Sequence, residues 1–288
     1  MPRFLISLLA VFLSVVPAGQ AQVQVHVKME RDGFLLYEPI PVAVGIQNFS
    51  GRDLELANQG GTPWLEFTVT DEHGQMIGAA GKADTTAALV VPAGRTVART
   101  VDLIPLFDLR QRGTFRVQAR IRGGGVVVVS SPVSFSVGSG RELWRQTVGV
   151  RGAEKVDDQS RTYTLLTHRE SEYDVIYAGV QDESRQLVYG MLRLGRYVVL
   201  GEPEARTDGA GHLHVLYCTA PHSFAYAHID PQAKIVDRAA YSDVVTLPRL
   251  TTDAEGRVAV RGGEKTFPRE KRAQAGDTNT PRAVTPRD

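Results

Sequence analysis

The chain has 288 residues, enough for two ordinary domains, and its 42% hydrophobic and 23% charged content excludes a mostly disordered or fibrous protein. Thirty-three Lys and Arg stand against 32 Asp and Glu, a formal charge of +1, so no global basic field exists to draw nucleic acid. One cysteine, Cys218, excludes an internal disulfide framework, and a small buried apolar residue is its expected fate.

Residues 1–21 form the first element. Arg3 precedes an apolar run from Phe4 to Val16, and Gly19 and Ala21 occupy the −3 and −1 places of a cleavage site. That is the layout of a secretory signal peptide. The run is shorter than the roughly 20 residues a spanning helix needs, and no later stretch is long enough. The expectation is an exported protein, periplasmic or extracellular, with no membrane span after cleavage.

Residues 22–137 alternate with period two. Val23, Val25, Val27 and Met29 share a face; so do Val42, Val44 and Ile46, then Leu65, Phe67 and Val69, then Val97, Val101 and Leu103, with Arg99 an exception. Phe115, Val117, Ala119 and Ile121 give the cleanest strand, and Val133, Phe135 and Val137 close the segment. Turn signals separate them, among them Asp32-Gly33, Asn48-Phe49-Ser50-Gly51, Glu72-His73-Gly74, Pro92-Ala93-Gly94 and Gly123-Gly124-Gly125. The pattern predicts an antiparallel β-sandwich. Tyr37-Glu38-Pro39-Ile40-Pro41-Val42, the Asn48–Gly51 turn and Gly113-Thr114-Phe115-Arg116-Val117 resemble bacterial immunoglobulin-like modules of the proteinase-inhibitor-like and macroglobulin-like types. The resemblance implies a sandwich fold and, as one functional version, a proteinase-inhibitor-like module. It implies little else, because that architecture hosts unrelated activities. Asn48-Phe49-Ser50 also fits an N-glycosylation acceptor.

Gly138-Ser139-Gly140 reads as a hinge, and residues 141–263 as a second β-rich domain. Thr207-Asp208-Gly209-Ala210-Gly211-His212-Leu213-His214-Val215 and Thr252-Asp253-Ala254-Glu255-Gly256-Arg257-Val258-Ala259-Val260 share the frame T-D-x-x-G-x-(L/V)-x-V, offset by 45 residues. Asp and Gly build a turn and the alternating residues re-enter a strand. This half resembles β-propeller repeats, and a plain β-meander is the open alternative. From 264 to 288 the sequence loses apolar periodicity and reads as a disordered tail. The fold class is therefore all-β: a sandwich followed by a meander or partial propeller.

Four of seven histidines, His212, His214, His222 and His228, fall close together and form the candidate metal site, Zn²⁺ being the natural ion for imidazole and thiolate ligands. On a strand His212, His214 and Cys218 share one side, while Leu213, Val215 and Tyr217 take the core side. No G-x-S-x-G elbow, phosphate loop or thiol nucleophile setting is present. The carboxylate pairs Asp157-Asp158 and Asp182-Glu183 read as solvated loops. Eight of nine tyrosines fall in the second half, which favours a binding face there for a protein or carbohydrate. The leading expectation is a non-enzymatic binding or assembly protein. Its rival is a metal-binding protein or hydrolase centred on the histidines.

Overall fold

The computed structural model of the chain describes residues 22–81, 87–150, 159–170 and 172–266. The expected signal peptide, the Asp157-Asp158 pair and the tail from 267 onward lie outside the described residues. Every regular element among the described residues is a β-strand, and no sheet closes into a barrel, so the chain is all-β.

In chain order the strands begin with β1 (Val23–Lys28), β2 (Gly33–Leu35), β3 (Pro41–Asn48), β4 (Leu54–Leu56), β5 (Leu65–Asp71), β6 (Leu89–Val91) and β7 (Thr96–Asp102). They continue with β8 (Gly113–Gly123), β9 (Val126–Val129), β10 (Val133–Gly138), β11 (Arg141–Val150), β12 (Gln159–Glu170), β13 (Tyr173–Asp182) and β14 (Leu187–Tyr197). The last are β15 (Glu204–Thr207), β16 (Leu213–Ala220), β17 (Ser223–Ile229), β18 (Ile235–Ser242), β19 (Arg249–Thr252), β20 (Val258–Arg261) and β21 (Glu264–Thr266). Two compact units result. The first takes residues 22–32, Ile40–Asp108 and Gly113–Phe135; the second takes Gly33–Pro39, Leu109–Arg112 and the chain from Ser136.

In the first unit β3 lies between β1 and β7 in an antiparallel sheet, β8 pairs with β5 and with the returning β9, and β4 pairs with β6. Burial follows the alternation that marked these strands. Val42, Val44 and Ile46 of β3 and Phe115, Val117, Ala119 and Ile121 of β8 are buried, while Arg116 and Arg120 between them are exposed. Phe115 stacks on Phe135 with ring centroids 5.6 Å apart. Arg99, the exception in the alternation, sets its guanidinium 5.8 Å from the Trp64 ring, a cation–π contact that lets it share an apolar face. Gly45 faces His26 across β1 and β3, and a Cβ there would meet the imidazole at 2.1 Å.

Asn48 is fully buried: its Nδ2 donates to the carbonyls of Arg52 and Val91, and its Oδ1 accepts from the Ser50 amide. It closes the Asn48–Gly51 turn as an Asx side chain. The glycosylation reading therefore does not hold for the folded chain, since that amide is enclosed.

In the second unit β11 to β14 run up and down as one antiparallel sheet, and β15 to β18 as another, with β21 added at the edge of β18. Strand β21 carries pairing through Thr266, three residues beyond the point where apolar periodicity ends. Its side chains are all exposed, so backbone bonds alone hold it and the sequence leaves no trace. Strands β19 and β20 form a separate hairpin, and the last residues of β10 pair in parallel with β2.

Here strands are buried on both faces. One core joins Tyr163, Leu165, Ile176, Ala178, Val180 and Leu194 to Leu213, Val215, Tyr217, Ala227 and Ile229. On the opposite face of β13, Val175 and Tyr177 pack with Leu35 and Met191. Buried polar groups in this interior are mostly partnered, the Thr167 hydroxyl being an exception among the described residues. Tyr163 donates its hydroxyl to the Gly211 carbonyl at 2.5 Å. Arg161 reaches Asp182 at 3.3 Å, donates through Nε to the Pro231 carbonyl and stacks over Tyr189. Adjacent Glu183 is exposed and pairs with Arg145, so the reading of Asp182-Glu183 as a solvated pair holds for Glu183 and fails for the buried Asp182.

Candidate functional site

Asp208 opens the turn between β15 and β16. Its Oδ1 accepts from the amides of Ala210 and His212, its own amide donates to the His212 carbonyl, and Gly211 takes a φ of +82°. Only a residue without a Cβ penalty sits comfortably there. The same construction recurs at Asp253, where Gly256 has φ +79°, and at Asp71, where Gly74 has φ +81°. A fourth copy starts at Asp230 between β17 and β18, with Ala233 at φ +61° in the glycine position. The shared T-D-x-x-G frame thus reports a hairpin cassette. The copy at Asp230 escaped sequence reading because alanine hides its glycine place.

The β16–β17 hairpin turns at Pro221 and His222, and its register sets His214 opposite His228 and Leu216 opposite Tyr226. His214, Leu216 and Cys218 therefore share a face, the core taking Leu213, Val215 and Tyr217, as the alternation predicts. At the cassette end of this face three of the four expected histidines meet. His212 Nδ1 lies 2.7 Å from His228 Nε2, and His228 stacks on His214 with centroids 4.4 Å apart and planes 13° apart. His214 is buried; its Nε2 lies 3.1 Å from Asp208 Oδ2 and its Nδ1 2.7 Å from the Tyr226 hydroxyl.

Electrostatics at this end follow from burial. Desolvation holds the His214 imidazole below its ordinary range against the pull of Asp208, and His228 is lowered by desolvation and by the two neighbouring imidazoles. Burial raises the Asp208 carboxyl, but the His212 amide, His214 and the Ala210 amide outweigh it, and the net direction is down. The surroundings thus favour neutral rings at His214 and His228 beside the Asp208 carboxylate. Asp208 and Tyr226 were absent from the expected set: Asp208 was legible only as a turn former, and Tyr226 only through the hairpin register.

His222 does not join them. It sits at φ +61° in the turn at the far end of β16 and β17, mostly exposed, with Nδ1 2.8 Å from Asp243. The six-residue step from His222 to His228 places it roughly 20 Å away along the strand. That far end holds a cavity of about 360 Å³ whose walls include Leu200, Leu216, Phe224, Leu247 and Pro248 beside Glu202, Glu204, Asp243 and Arg249. Glu204 takes the Arg249 guanidinium at 2.8 Å and accepts from the Leu250 amide, fixing the β19 hairpin at this edge. Leu200, Val244, Val245 and Leu247, on or next to the wall, are exposed, Val245 to 83%. Cys218 also lines the cavity. It is buried, its Sγ lies 3.1 Å from the Ala220 carbonyl, and burial raises its thiol, as expected of a structural cysteine. Half of the tyrosine enrichment is core: of the eight tyrosines in the second half, Tyr163, Tyr177, Tyr197 and Tyr217 are buried.

No family model and no curated protein matches the chain. Among solved structures it is similar to the sporulation control protein Spo0M from Bacillus subtilis, at 9% identity over 62% of this chain and 91% of that one, with a TM-score of 0.30. It is also similar to the Pseudomonas fluorescens alkylpurine DNA glycosylase AlkC, at 13% identity over 42% of this chain and 31% of that one, TM-score 0.26. A red sea bream transglutaminase matches at 13% identity over 75% of this chain and 30% of that one, TM-score 0.31. At these scores the likenesses carry no functional argument.

Proposed function

We propose that the chain is an exported, non-enzymatic binding protein. In this reading an immunoglobulin-like sandwich is followed by a repeat-like β domain that holds a segment of another protein at the far end of β16 and β17. The observation that supports it is the cavity there, walled by leucine, phenylalanine and proline and bordered by exposed Leu200, Val244, Val245 and Leu247. Contiguous exposed apolar surface around a concavity is the ordinary mark of a binding site. Three acidic residues, Glu202, Glu204 and Asp243, stand against Arg249 in the wall, so the occupant is a peptide segment carrying an apolar anchor next to Lys or Arg.

Fluorescence polarisation of a labelled peptide library against the chain lacking residues 1–21 tests this. The expected result is selection of apolar-plus-basic peptides, lost in Leu200→Asp and in Leu247→Asp. Selection of no class, or binding indifferent to both substitutions, overturns it.

A further inference from the structure

We propose a second site, independent of that cavity: Asp208, His212 and His228 bind one divalent first-row transition ion of the Zn²⁺ type, with His214 and Tyr226 orienting the carboxylate. One donor atom from each of the three residues falls within 4.8 Å of the others, and all three residues are partly exposed, so an ion reaches them from solvent. Two imidazoles and a carboxylate suit Zn²⁺ and its neighbours and match neither Ca²⁺ nor Mg²⁺, which take oxygen ligands.

His212 Nδ1 and His228 Nε2 lie 2.7 Å apart, one ring donating its N–H to the other's lone pair, so an ion that replaces the shared proton meets both nitrogens. A tetrahedral ion with bonds of about 2.0–2.1 Å would separate its ligand atoms by roughly 3.3 Å, so side-chain rotations of modest size seat it. The backbone under each donor is fixed. The Asp208 cassette holds one carboxylate oxygen on two amides, and His228 lies within the paired strand β17.

His214 supplies the outer layer that metal carboxylates usually need. Buried, it bridges Asp208 Oδ2 and the Tyr226 hydroxyl, so it fixes the carboxylate rather than competing for the ion. Arg206 and Asp237, in register with His214 and His228 on the same face, offset each other in charge. Three protein donors leave at least one position for water or an external ligand.

The test uses untagged protein, because a polyhistidine tag binds the same ions. Co²⁺ titration followed by ligand-field absorption, with Zn²⁺ competition and dialysis against Zn²⁺ followed by metal analysis, is expected to give about one equivalent in the wild type. His212→Gln and His228→Gln each lose tenfold or more in affinity, Tyr226→Phe loses about tenfold, and His222→Gln, remote from the cluster, loses nothing. Zn²⁺ also raises the wild-type unfolding temperature, a readout that needs no variant and stands if one substitution prevents folding. Absence of a bound equivalent with no thermal shift overturns the site. So does an affinity unchanged in both His212→Gln and His228→Gln.

Discussion

The two units solve burial differently. In the first, strands such as β8 bury every second side chain and expose the rest, and the interior is almost wholly apolar. In the second, β13 and β16 each bury six consecutive residues, so side chains on both faces must find an interior partner. Polar residues are then unavoidable inside, and they come as sets: Arg161 with Asp182, Tyr163 with the Gly211 carbonyl, His214 with Asp208 and Tyr226. One-sided sheets are held by volume, and two-sided sheets by volume plus matched polar geometry.

Each unit has its own tryptophan, Trp64 in the first and Trp144 in the second, so single-tryptophan backgrounds report each unit separately. The largest effect is expected in the first unit. Phe115→Ala removes a buried ring stacked on Phe135 and should cost about 3–5 kcal/mol by urea unfolding read at Trp64. A loss below about 1 kcal/mol would mean that this core does not rest on packed volume.

In the second unit Arg161→Met should lower the urea midpoint read at Trp144, because the buried Asp182 carboxylate loses its buried cation and keeps only the Ser184 hydroxyl, the Arg185 amide and the more distant Arg185 guanidinium. Arg161→Met combined with Asp182→Leu should recover most of that loss. A double variant as weak as the single one would break the contrast between the units.

Acid sharpens the same contrast. The Ser184 hydroxyl, the Arg185 amide and Arg161 outweigh desolvation and hold the Asp182 carboxyl below its ordinary 3.8. A carboxyl lowered by folding contributes stability that is present above pH 3.8 and is lost as pH falls through its folded value. The second unit should therefore lose stability below pH 3.8, and Asp182→Asn, already weaker at neutral pH, should show a shallower acid limb. An unchanged limb would assign the acid loss to other groups.

The smallest effects test the turn cassette. Gly256→Ala places a Cβ at φ +79° and should cost about 1–2 kcal/mol. Ala233→Gly relieves the same conformation at φ +61° and should gain up to about 1 kcal/mol after the glycine's extra unfolded-state freedom is subtracted. Equal responses at both positions would show that the two turns are not the same device.

These differences also explain what the sequence made legible. One-sided strands announce themselves by alternation, and β1, β3, β5, β7, β8 and β10 all lie where period two placed them. Strands β2, β4 and β6 have three residues each, too few to alternate, and β21 has no buried side chain. Two-sided strands such as β13 read as continuous apolar runs, so their polar partners cannot be assigned to a face. The site was half legible. Strand parity placed His212 and His214 together, but bringing in His228 and leaving out His222 required the register of a hairpin centred on Pro221-His222. Asp208 looked like turn chemistry, and it is: one oxygen closes the turn while the other faces His214.

Cys218 has a use beyond packing. It is the chain's single thiol, buried on β16, and it forms part of the cavity wall. A thiol so placed reacts with a bulky reagent only when the sheet around it opens, so its labelling rate is a clock for local opening of the second unit. A ligand that fills the cavity of the closed sheet slows that clock in proportion to its occupancy. The protein therefore carries its own footprinting probe, one that reports occupancy of an unlabelled ligand by mass alone.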